Sequence, residues 1–406
     1  MPMPRDTVRI AASLLAGIVT AASTFPAARA AVPLRGTSRV SAGGAHTCVL
    51  TTAGGVLCWG ANSAGQLGDG TQTARLAPVG TVGLASGVRA ISAGRDHTCA
   101  LTTGGAVKCW GIDYDGQLGD GSGAFGVVRR TPVQVIGLAQ GVAAIAAGAS
   151  HSCAITSAGG AKCWGLNDHG QLGDGTATKR LAPVDVSGLA SGVAAIALGE
   201  YHTCALMMTG GAKCWGDNDD GELGDGSNIE RRTPVNVSAL AGATAIAAGD
   251  FHACALANGG MVCWGYNGNG QLGNGTTTAS PLPVAVSGLG SGVAAISAGA
   301  DFDHSCALLV GGSVRCWGEY YFPIGGIFPI ASANPLDRGF AGAASISAGG
   351  AGYVLTSHVC AVGADTGVRC QGGNSQGQLG NGVQGDYSET PVDVLLGDSI
   401  FADGFE

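Results

Sequence analysis

Charged residues are scarce in this chain of 406 residues, where Asp, Glu, Lys and Arg together make up 12% of the total. Lys and Arg number 20 and Asp and Glu number 28, so the formal net charge is −8 at pH 7. Proteins that bind nucleic acid present a clustered positive surface to the phosphates. Because the basic residues are outnumbered and few of them are clustered, the sequence predicts no nucleic-acid partner.

Long apolar segments are also rare, and the one that stands out is residues 10–22. This run is too short to cross a bilayer, so no transmembrane segment is predicted. It follows a basic start with Arg5 and Arg9 and precedes Ala28-Arg29-Ala30, which has the Ala-x-Ala pattern of a signal-peptide cleavage site. We therefore expect residues 1–30 to be a secretory signal and the protein to be exported to the medium, the periplasm or the cell surface.

The rest of the chain is expected to fold as one domain, residues 31–396, followed by a short C-terminal tail, residues 397–406. Removal of the signal takes away three arginines and one aspartate, which changes the net charge from −8 to −10. The chain has 73 glycines, a number typical of a fold with many tight turns rather than of a disordered chain.

Several motifs of familiar enzymes are missing. The sequence contains no His-Glu-x-x-His zinc motif and no phosphate-binding loop of the Walker type. No nucleophile stands beside a base in a way that indicates a catalytic pair. We therefore predict a protein that is not an enzyme and that holds no cofactor or metal. An active site assembled across the domain from residues far apart in the sequence is kept as an alternative.

What the chain does contain is one pattern repeated seven times. It runs Ala-Gly, a spacer of two residues, His-Thr-Cys-Ala-Leu, a Gly-Gly turn, Cys-Trp-Gly and then Asn-x-x-Gly-Gln-Leu-Gly-Asp-Gly, and its cleanest copies are residues 93–121 and 147–175. The first cysteine recurs every 50 to 54 residues, a period typical of a propeller or solenoid. The cysteines form local pairs, which are Cys48 with Cys58, Cys99 with Cys109, Cys153 with Cys163, Cys204 with Cys214, Cys254 with Cys263, Cys306 with Cys316 and Cys360 with Cys370.

The second copy of the pattern predicts four short strands. Residues 88–93 and 97–102 both alternate, and a glycine turn then reverses the chain into residues 106–110. A fourth strand is expected at residues 131–135, where Pro132 suits an edge strand because its outer side needs no donor. Four strands in each of seven repeats predict an all-β fold, a seven-bladed β-propeller with four antiparallel strands per blade.

The register of the predicted hairpin brings the two cysteines of a repeat together. A turn centred on residue 104 places Cys99 opposite Cys109, and opposed residues at a non-hydrogen-bonded position are close enough for a disulfide. In the fifth repeat the cysteines are one residue closer, and the turn there is Asn258-Gly259, the preferred two-residue hairpin turn. We therefore predict seven disulfides, which fit an oxidising compartment. Trp110, on the opposite strand face from Cys109, is expected to pack between neighbouring sheets.

The run from His-Thr-Cys-Ala-Leu to Gly-Gln-Leu-Gly-Asp-Gly resembles the repeat of the RCC1 (regulator of chromosome condensation) family, over roughly residues 36–396. The resemblance implies a seven-bladed propeller. Members of the family include a nuclear exchange factor for a small GTPase, a plant light sensor and a secreted bacterial inhibitor of β-lactamases, so the fold does not select a function. Guanine-nucleotide exchange is an alternative by family analogy. Export, acidity and the lack of an insertion resembling the exchange factor's wedge argue against it.

Two repeated side-chain sets allow a metal site as an alternative to a structural role. The seven histidines that precede the first cysteines could join them as zinc ligands, or could hydrogen-bond a loop backbone while the cysteines oxidise. We favour the structural role because the cysteines are in hairpin register. The aspartates of the Gly-Asp-Gly loops could hold calcium, but their spacing does not match an EF-hand and turn formation explains them. The residues concerned are His46, His97, His151, His202, His252, His304 and His358, and Asp69, Asp120, Asp174 and Asp225.

The places where the repeats differ indicate where a partner could bind. The spacers between Ala-Gly and His should lie at one end of the propeller, and loops on a rigid scaffold commonly carry binding function. Repeat six also replaces its Gly-Gln-Leu loop with an aromatic segment, and exposed aromatics commonly anchor interfaces. The predicted partner-binding residues are Asp96, Glu200, Asp250, Phe251, Asp301, Asp303, Tyr320, Tyr321 and Phe322. A solvated rim and inward packing of the aromatics are the alternatives.

Together these features predict an exported, disulfide-stabilised propeller that acts as a monomeric binding scaffold. The expected partner is another protein or a surface glycan, and an inhibitor-like role is one form that such binding could take. In repeat seven, Gln371 occupies the position that tryptophan occupies in the other six repeats.

Overall fold

The computed structural model describes residues 32–299, 304–320, 330–350, 356–385 and 387–397, with the backbone alone described at residues 320 and 330. These residues form thirty β-strands and no helix, so no helix in this part of the chain could span a membrane. Twenty-eight of the strands make seven four-stranded antiparallel sheets, each built from consecutive strands. The predicted seven-bladed β-propeller is confirmed.

In each blade the four strands lie side by side in chain order, from the first to the fourth. The first strands are β2 (Thr37–Ala42), β6 (Val88–Ala93), β10 (Val142–Ala147), β14 (Val193–Leu198), β18 (Ala243–Ala248), β22 (Val293–Ala298) and β26 (Ala343–Gly349). The second strands are β3 (His46–Thr51), β7 (His97–Thr102), β11 (His151–Thr156), β15 (His202–Met207), β19 (His252–Ala257), β23 (His304–Leu309) and β27 (His358–Gly363).

The outer half of each blade carries the tryptophan position and the edge. The third strands are β4 (Val56–Gly60), β8 (Val107–Ile112), β12 (Ala161–Gly165), β16 (Ala212–Gly216), β20 (Gly260–Gly265), β24 (Val314–Tyr320) and β28 (Val368–Gly373). The fourth strands are β5 (Arg75–Gly80), β9 (Val128–Gln134), β13 (Arg180–Asp185), β17 (Arg231–Asn236), β21 (Ser280–Ala285), β25 (Ile330–Asp337) and β29 (Tyr387–Asp393). The predicted fourth strand of blade 2 lies within β9, at the edge of its sheet.

The hairpin register is the predicted one. Cys99 pairs with Cys109 and Leu101 with Val107 across β7 and β8. In blade 5 both turn residues have positive φ, 54° at Asn258 and 80° at Gly259, as the shorter turn requires.

All fourteen cysteines are bonded within their own blades, in the seven predicted pairs. The two Cα atoms of each pair are 4.0 to 4.1 Å apart, because the cysteines stand directly opposite each other on the second and third strands. In chain order the disulfides join Cys48 to Cys58, Cys99 to Cys109, Cys153 to Cys163, Cys204 to Cys214, Cys254 to Cys263, Cys306 to Cys316 and Cys360 to Cys370.

The hydrophobic core lies between neighbouring blades. Trp110 is fully buried against the disulfide and Leu67 of blade 1, and its Nε1 donates to the carbonyl oxygen of Gln66 at 2.8 Å. A Cβ on Gly68 would lie 2.8 Å from that Nε1 atom, and Gly68 has a φ of 68°. Each Gly-Gln-Leu-Gly loop is therefore shaped to cover the tryptophan of the next blade.

Blade 7 packs against blade 1 and closes the ring. Trp59 of blade 1 donates to the carbonyl oxygen of Gln378 in blade 7 at 2.9 Å, which repeats the contact between other blades. Outside the blades, β1 (Val32–Pro33) pairs with β30 (Leu395–Leu396), so the two ends of the domain form a small antiparallel sheet. The ends of the first strands surround the central channel, whose mouth encloses about 80 Å³.

Candidate functional site

The seven repeated histidines are buried links between blades. All of them are at most 2% exposed. In five, Nε2 lies 2.7 to 2.9 Å from a hydroxyl of the next blade's second strand. These pairs are His46–Thr98, His97–Ser152, His151–Thr203, His252–Ser305 and His358–Thr47. The sequence predicted a bond to a loop backbone, and the structure inserts a hydroxyl between the ring and the loop.

The hydroxyl fixes the tautomer of the imidazole. Thr98 donates its one proton to the carbonyl oxygen of Gln66 at 2.9 Å, so His46 Nε2 must donate to Thr98 Oγ1. Burial, with repulsion from neighbouring histidines, lowers the pKa of His46 to about 3, and burial lowers that of His97 to about 4. His46 and His97 are therefore neutral structural links. The zinc alternative is not supported, because both cysteines that it needs in each blade are bonded to each other.

The aspartates of the Gly-Asp-Gly loops hold the turns and an arginine. Asp69 Oδ1 accepts from the amide and the hydroxyl of Thr71 at 2.9 and 2.7 Å, and its Oδ2 lies 2.8 Å from Arg75. Burial acts to raise the pKa of Asp69, but these hydrogen bonds hold it below its usual range. Asp120, Asp174 and Asp225 make the corresponding pairs with Arg129, Arg180 and Arg231. Within the described part of the chain, no three His, Cys, Asp or Glu side chains are grouped as a metal site.

Glu222 stands where the other Gly-Gln-Leu loops have glutamine. Its side chain is 1% exposed, and Oε2 accepts from the amide of Asp220 at 3.0 Å, as Gln271 Oε1 accepts from Asn269 in blade 5. Burial, with repulsion from Asp217 and Asp220, raises the pKa of Glu222 to about 8. A protonated glutamate imitates the glutamine, so the side chain is neutral near pH 7 and serves the loop rather than a reaction.

Replacement of Glu222 by Gln is expected to stabilise the protein in alkaline solution. The folded-state pKa lies above that of the unfolded chain, so stability is lost as pH rises from about 4.5 to about 8. Removal of the carboxyl should raise the free energy of unfolding by about 2–4 kcal/mol at pH 9, with little change at pH 5. Urea unfolding at both pH values measures this difference. The matched variant Gln271→Glu should introduce the same loss, and equal stability of all three proteins at pH 9 would contradict the assignment.

The spacers lie together at one end of the propeller, here called the spacer-loop end. Arg95 lines the mouth of the channel there, with its NH2 group 2.9 Å from Glu200 and 3.3 Å from Asp250. The side chain of Asp250 is only 2% exposed. Two of the predicted contact residues, Glu200 and Asp250, therefore have a cation between their carboxylates. Asp250 is therefore buried, and it holds Arg95 in place.

An aromatic row lies beside this ion pair. The ring of Tyr201 is 4.8 Å from that of His169 and 6.5 Å from that of Phe251. His169 Nδ1 is 3.4 Å from Glu230 and 3.8 Å from Asp217. Phe251, a predicted contact residue, is half-buried and remains at the surface. Partly exposed rings beside carboxylates are suited to contact with a protein surface.

A groove of about 860 Å³ crosses the spacer-loop end above blade 1. It brings together residues of blades 7, 1 and 2, and one of the predicted contact residues, Asp96, is part of its lining. Gln66 Nε2 donates to Asp96 Oδ1 at 3.3 Å. The lining residues are Ala45, Ala61, Ser63, Ala64, Gln66, Gln72, Asp96, Ile112, Tyr114, Gly126, Val128, Thr356, Ser375 and Gln376.

Four of the predicted contact residues lie outside the described residues: Asp301, Asp303, Tyr321 and Phe322. Tyr320 ends β24, and its backbone alone is described. The partner-binding role of all nine predicted residues stays a prediction.

A serine pattern in blade 7 also belongs to the structural repeat. Residues 373–377 match the Gly-x-Ser-x-Gly pattern of nucleophile elbows, and the prediction from sequence overlooked this match. In an elbow the serine joins a strand to a helix, whereas here the segment leads into the loop that covers Trp59. Asn374 Oδ1 accepts from the amide of Leu379 at 3.1 Å, as Asn62 does from Leu67 in blade 1. The pattern is therefore a coincidence of the repeat.

Sequence comparison places these features in a known family. The profile of the RCC1-like domain matches residues 16–303. The human E3 ubiquitin-protein ligase HERC2 is 34% identical over 222 residues, which are 53% of this chain and 5% of that protein. The ultraviolet-B receptor UVR8 of Arabidopsis thaliana is 31% identical over 202 residues, which are 49% of this chain and 45% of the receptor. The chain thus spans less than half the length of both relatives.

Solved structures give the same architecture. Yeast RCC1 (Prp20), solved with bound Kap60, superposes with a TM-score of 0.70 at 22% identity over 83% of each chain. Human WBSCR16 superposes with a TM-score of 0.68 at 21% identity, over 79% of this chain and 86% of the other. At these identities the superpositions establish the fold alone.

Proposed function

We propose that this chain, which belongs to the RCC1-like domain family, is an exported scaffold that binds another protein at its spacer-loop end. The observation that carries the proposal is a difference between the side chains that the repeats share and the spacers that they do not. The side chains shared by the repeats, His, Cys, Trp and Asn, are occupied by contacts within and between blades. The spacers are not repeated, since Arg95-Asp96, Glu200-Tyr201 and Asp250-Phe251 differ in charge and shape. Differing loops on a rigid scaffold are the usual arrangement of a binding protein.

A protein partner is supported by what is known of a structural relative. Yeast Prp20 was solved with Kap60, and its structure was also described with its binding to Gsp1p and histones. The aromatic row of His169, Tyr201 and Phe251 adds support, because aromatic residues are enriched at protein interfaces. Cross-linking from the spacer-loop end would identify the partner of this chain.

Export is supported by the cysteines. Seven disulfides, one in each blade, persist only in an oxidising compartment, because cytosolic thiols are kept reduced. Residues 1–30 are proposed as the secretory signal that delivers the chain there.

The intact mass of the exported protein tests this part of the proposal. The full chain is expressed with residues 1–30, and the exported fraction is treated with an alkylating agent without reductant. We expect a chain that begins at Ala31, carries no alkyl group and is about 14 Da lighter than its reduced form, since each disulfide removes two hydrogens. Alkylated thiols on a chain that retains Met1 would show that the export proposal is wrong.

Site-specific cross-linking tests the binding surface. A photoreactive phenylalanine analogue replaces Phe251 at the spacer-loop end. A control protein carries it at Met208, a 70% exposed residue in the turn at the other end of blade 4. We expect one protein to be cross-linked from position 251 and not from 208, and to bind again when both proteins are purified. Equal cross-linking from both positions would contradict the proposed surface. A glycan partner would give no protein cross-link.

A further inference from the structure

The groove above blade 1 contains a carboxylate whose charge is poorly compensated. Among the described residues that line it, Asp96 is the one charged side chain. Its hydrogen bond to the Gln66 amide is long, at 3.3 Å, and within the described residues no cation lies within 4 Å of it. Burial acts to raise the pKa of Asp96, and only Arg95 acts against this rise. A cationic ligand would supply the charge that the groove lacks.

The neighbouring arginine compensates this charge only from a distance, because its side chain is directed elsewhere. Arg95 lines the channel mouth, where Glu200 and Asp250 hold it, while Asp96 lines the groove. The two residues of this spacer thus face different spaces. The structure separates the cation from the adjacent carboxylate and leaves that carboxylate directed at the groove.

One of the residues that line the groove belongs to an aromatic pair. Tyr114 lines it, and the ring of Phe125 lies 4.9 Å from that of Tyr114 while the residue is 91% exposed. Phe125 belongs to a segment specific to blade 2, where seven residues separate Gly121 from Arg129 and the corresponding loops of blades 1, 3 and 4 have four. Exposed aromatic faces attract cations and also pack against the aliphatic part of a long side chain.

We infer that this groove binds a lysine or arginine side chain of the protein partner, with the cationic end at Asp96 and the stem against Tyr114. The inference rests on the proposed function and adds the chemistry of the contact. The alanines at positions 45, 61 and 64, with Ile112 and Val128, give the apolar lining that a stem requires. The groove volume of about 860 Å³ exceeds the volume of one side chain, so the groove also accommodates the partner residues on either side of the lysine or arginine.

Three short peptides test the inference directly: acetyl-Ala-Arg-Ala-amide, acetyl-Ala-Lys-Ala-amide and a neutral peptide with norleucine at the centre. Binding is followed by NMR through the side-chain amide of Gln66 and the ring of Tyr114. We expect saturable chemical-shift changes with one or both basic peptides. The norleucine peptide should bind about tenfold or more weakly, because norleucine has the aliphatic stem without the charge. Equal binding of all three peptides, or no binding of either basic peptide, would overturn the inference.

Two charge variants locate the contact. Asp96→Asn keeps the shape and the polar contact with Gln66, and should weaken the basic peptide about tenfold. Asp115→Asn removes a carboxylate of the same blade that pairs with Lys179 at 3.7 Å, and should leave binding unchanged. Tyr114→Ala should weaken both basic peptides without unfolding the domain. Equal effects at positions 96 and 115 would indicate a general charge effect and refute the site.

Failure of this inference is distinguishable from failure of the proposed function. A protein that cross-links from position 251 while the basic peptides do not bind would refute the groove assignment and leave the scaffold role in place. If no protein is cross-linked from position 251 and the basic peptides do not bind, both the scaffold role and the groove assignment are refuted.

Discussion

Reduction of the seven disulfides is expected to unfold the protein under conditions in which the oxidised form is fully folded. Each bond closes a hairpin loop with a sequence separation of 9 or 10 residues. In the chain-entropy treatment a loop of this size stabilises by about 2–3 kcal/mol, so seven loops contribute about 14–21 kcal/mol. That amount equals or exceeds the whole net stability of a typical domain, about 5–15 kcal/mol.

The experiment must reach cysteines that are at most 1% exposed. The protein is therefore reduced in guanidinium, transferred to buffer that contains a phosphine reductant, and compared with an oxidised sample taken through the same steps. Fluorescence of the six buried tryptophans reports folding. We expect the oxidised sample to recover its signal and the reduced sample to remain unfolded. Thiols are left unmodified, because alkyl groups would themselves disturb the core.

A single-pair variant gives the size of one contribution. Replacement of Cys254 and Cys263 by Ala should lower the free energy of unfolding by about 2–4 kcal/mol, from loop entropy and the loss of two buried sulfurs. Recovery of the reduced protein with an unchanged unfolding midpoint would show that the bonds are dispensable. It would also remove the disulfides as an argument for export.

The features that could be predicted from sequence were those set within one repeat. The glycine turns and the alternation of residues 97–102 fixed the register that opposes Cys99 and Cys109. The shorter turn at Asn258-Gly259 was predictable for the same reason. These are contacts between residues close in sequence, whose geometry follows from strand period and turn length.

Apart from the packing of tryptophan between neighbouring sheets, contacts between repeats could not be predicted in this way. The sequence shows that repeat six lacks the Gly-Gln-Leu-Gly loop and that repeat seven has Gln371 in place of tryptophan. In the fold the two differences belong to one contact, because each Gly-Gln-Leu-Gly loop covers the tryptophan of the next blade. Phe340, 5% exposed in the core between blades 6 and 7, occupies the position that holds Leu84 in blade 1, and the larger ring supplies apolar volume where the tryptophan is absent.

At the candidate site, the directions in which the spacer side chains point could not be predicted either. The spacers and their charges were visible in the sequence, but not which residue of each spacer turns toward the axis. That choice puts Arg95 between Glu200 and Asp250 and leaves Asp96 facing the groove. The longer loop of blade 2, with Phe125, was a visible signal that comparison of the repeats could have found.

Acidification is expected to destabilise the protein steeply between pH 6.5 and 4.5. Burial is the largest cause that lowers the pKa of six histidines to about 3 or 4, namely His46, His97, His151, His202, His304 and His358. Their folded-state pKa values lie below the unfolded value of 6.5, so the unfolded chain takes up protons that the folded chain does not. The stability is therefore fully present above pH 6.5 and is lost as pH falls. The loss is about 2 kcal/mol per histidine at pH 4.5, and on the order of 10 kcal/mol for the set.

Urea unfolding of the oxidised protein across this pH range measures the effect, and the slope against pH gives the number of protons taken up on unfolding. His97→Gln should reduce that number by about one, because the amide can still donate to Ser152 but does not titrate. A free energy of unfolding that stays flat from pH 7 to pH 5 would contradict a ring of neutral histidines. A normal slope that His97→Gln does not change would place the proton uptake on other groups.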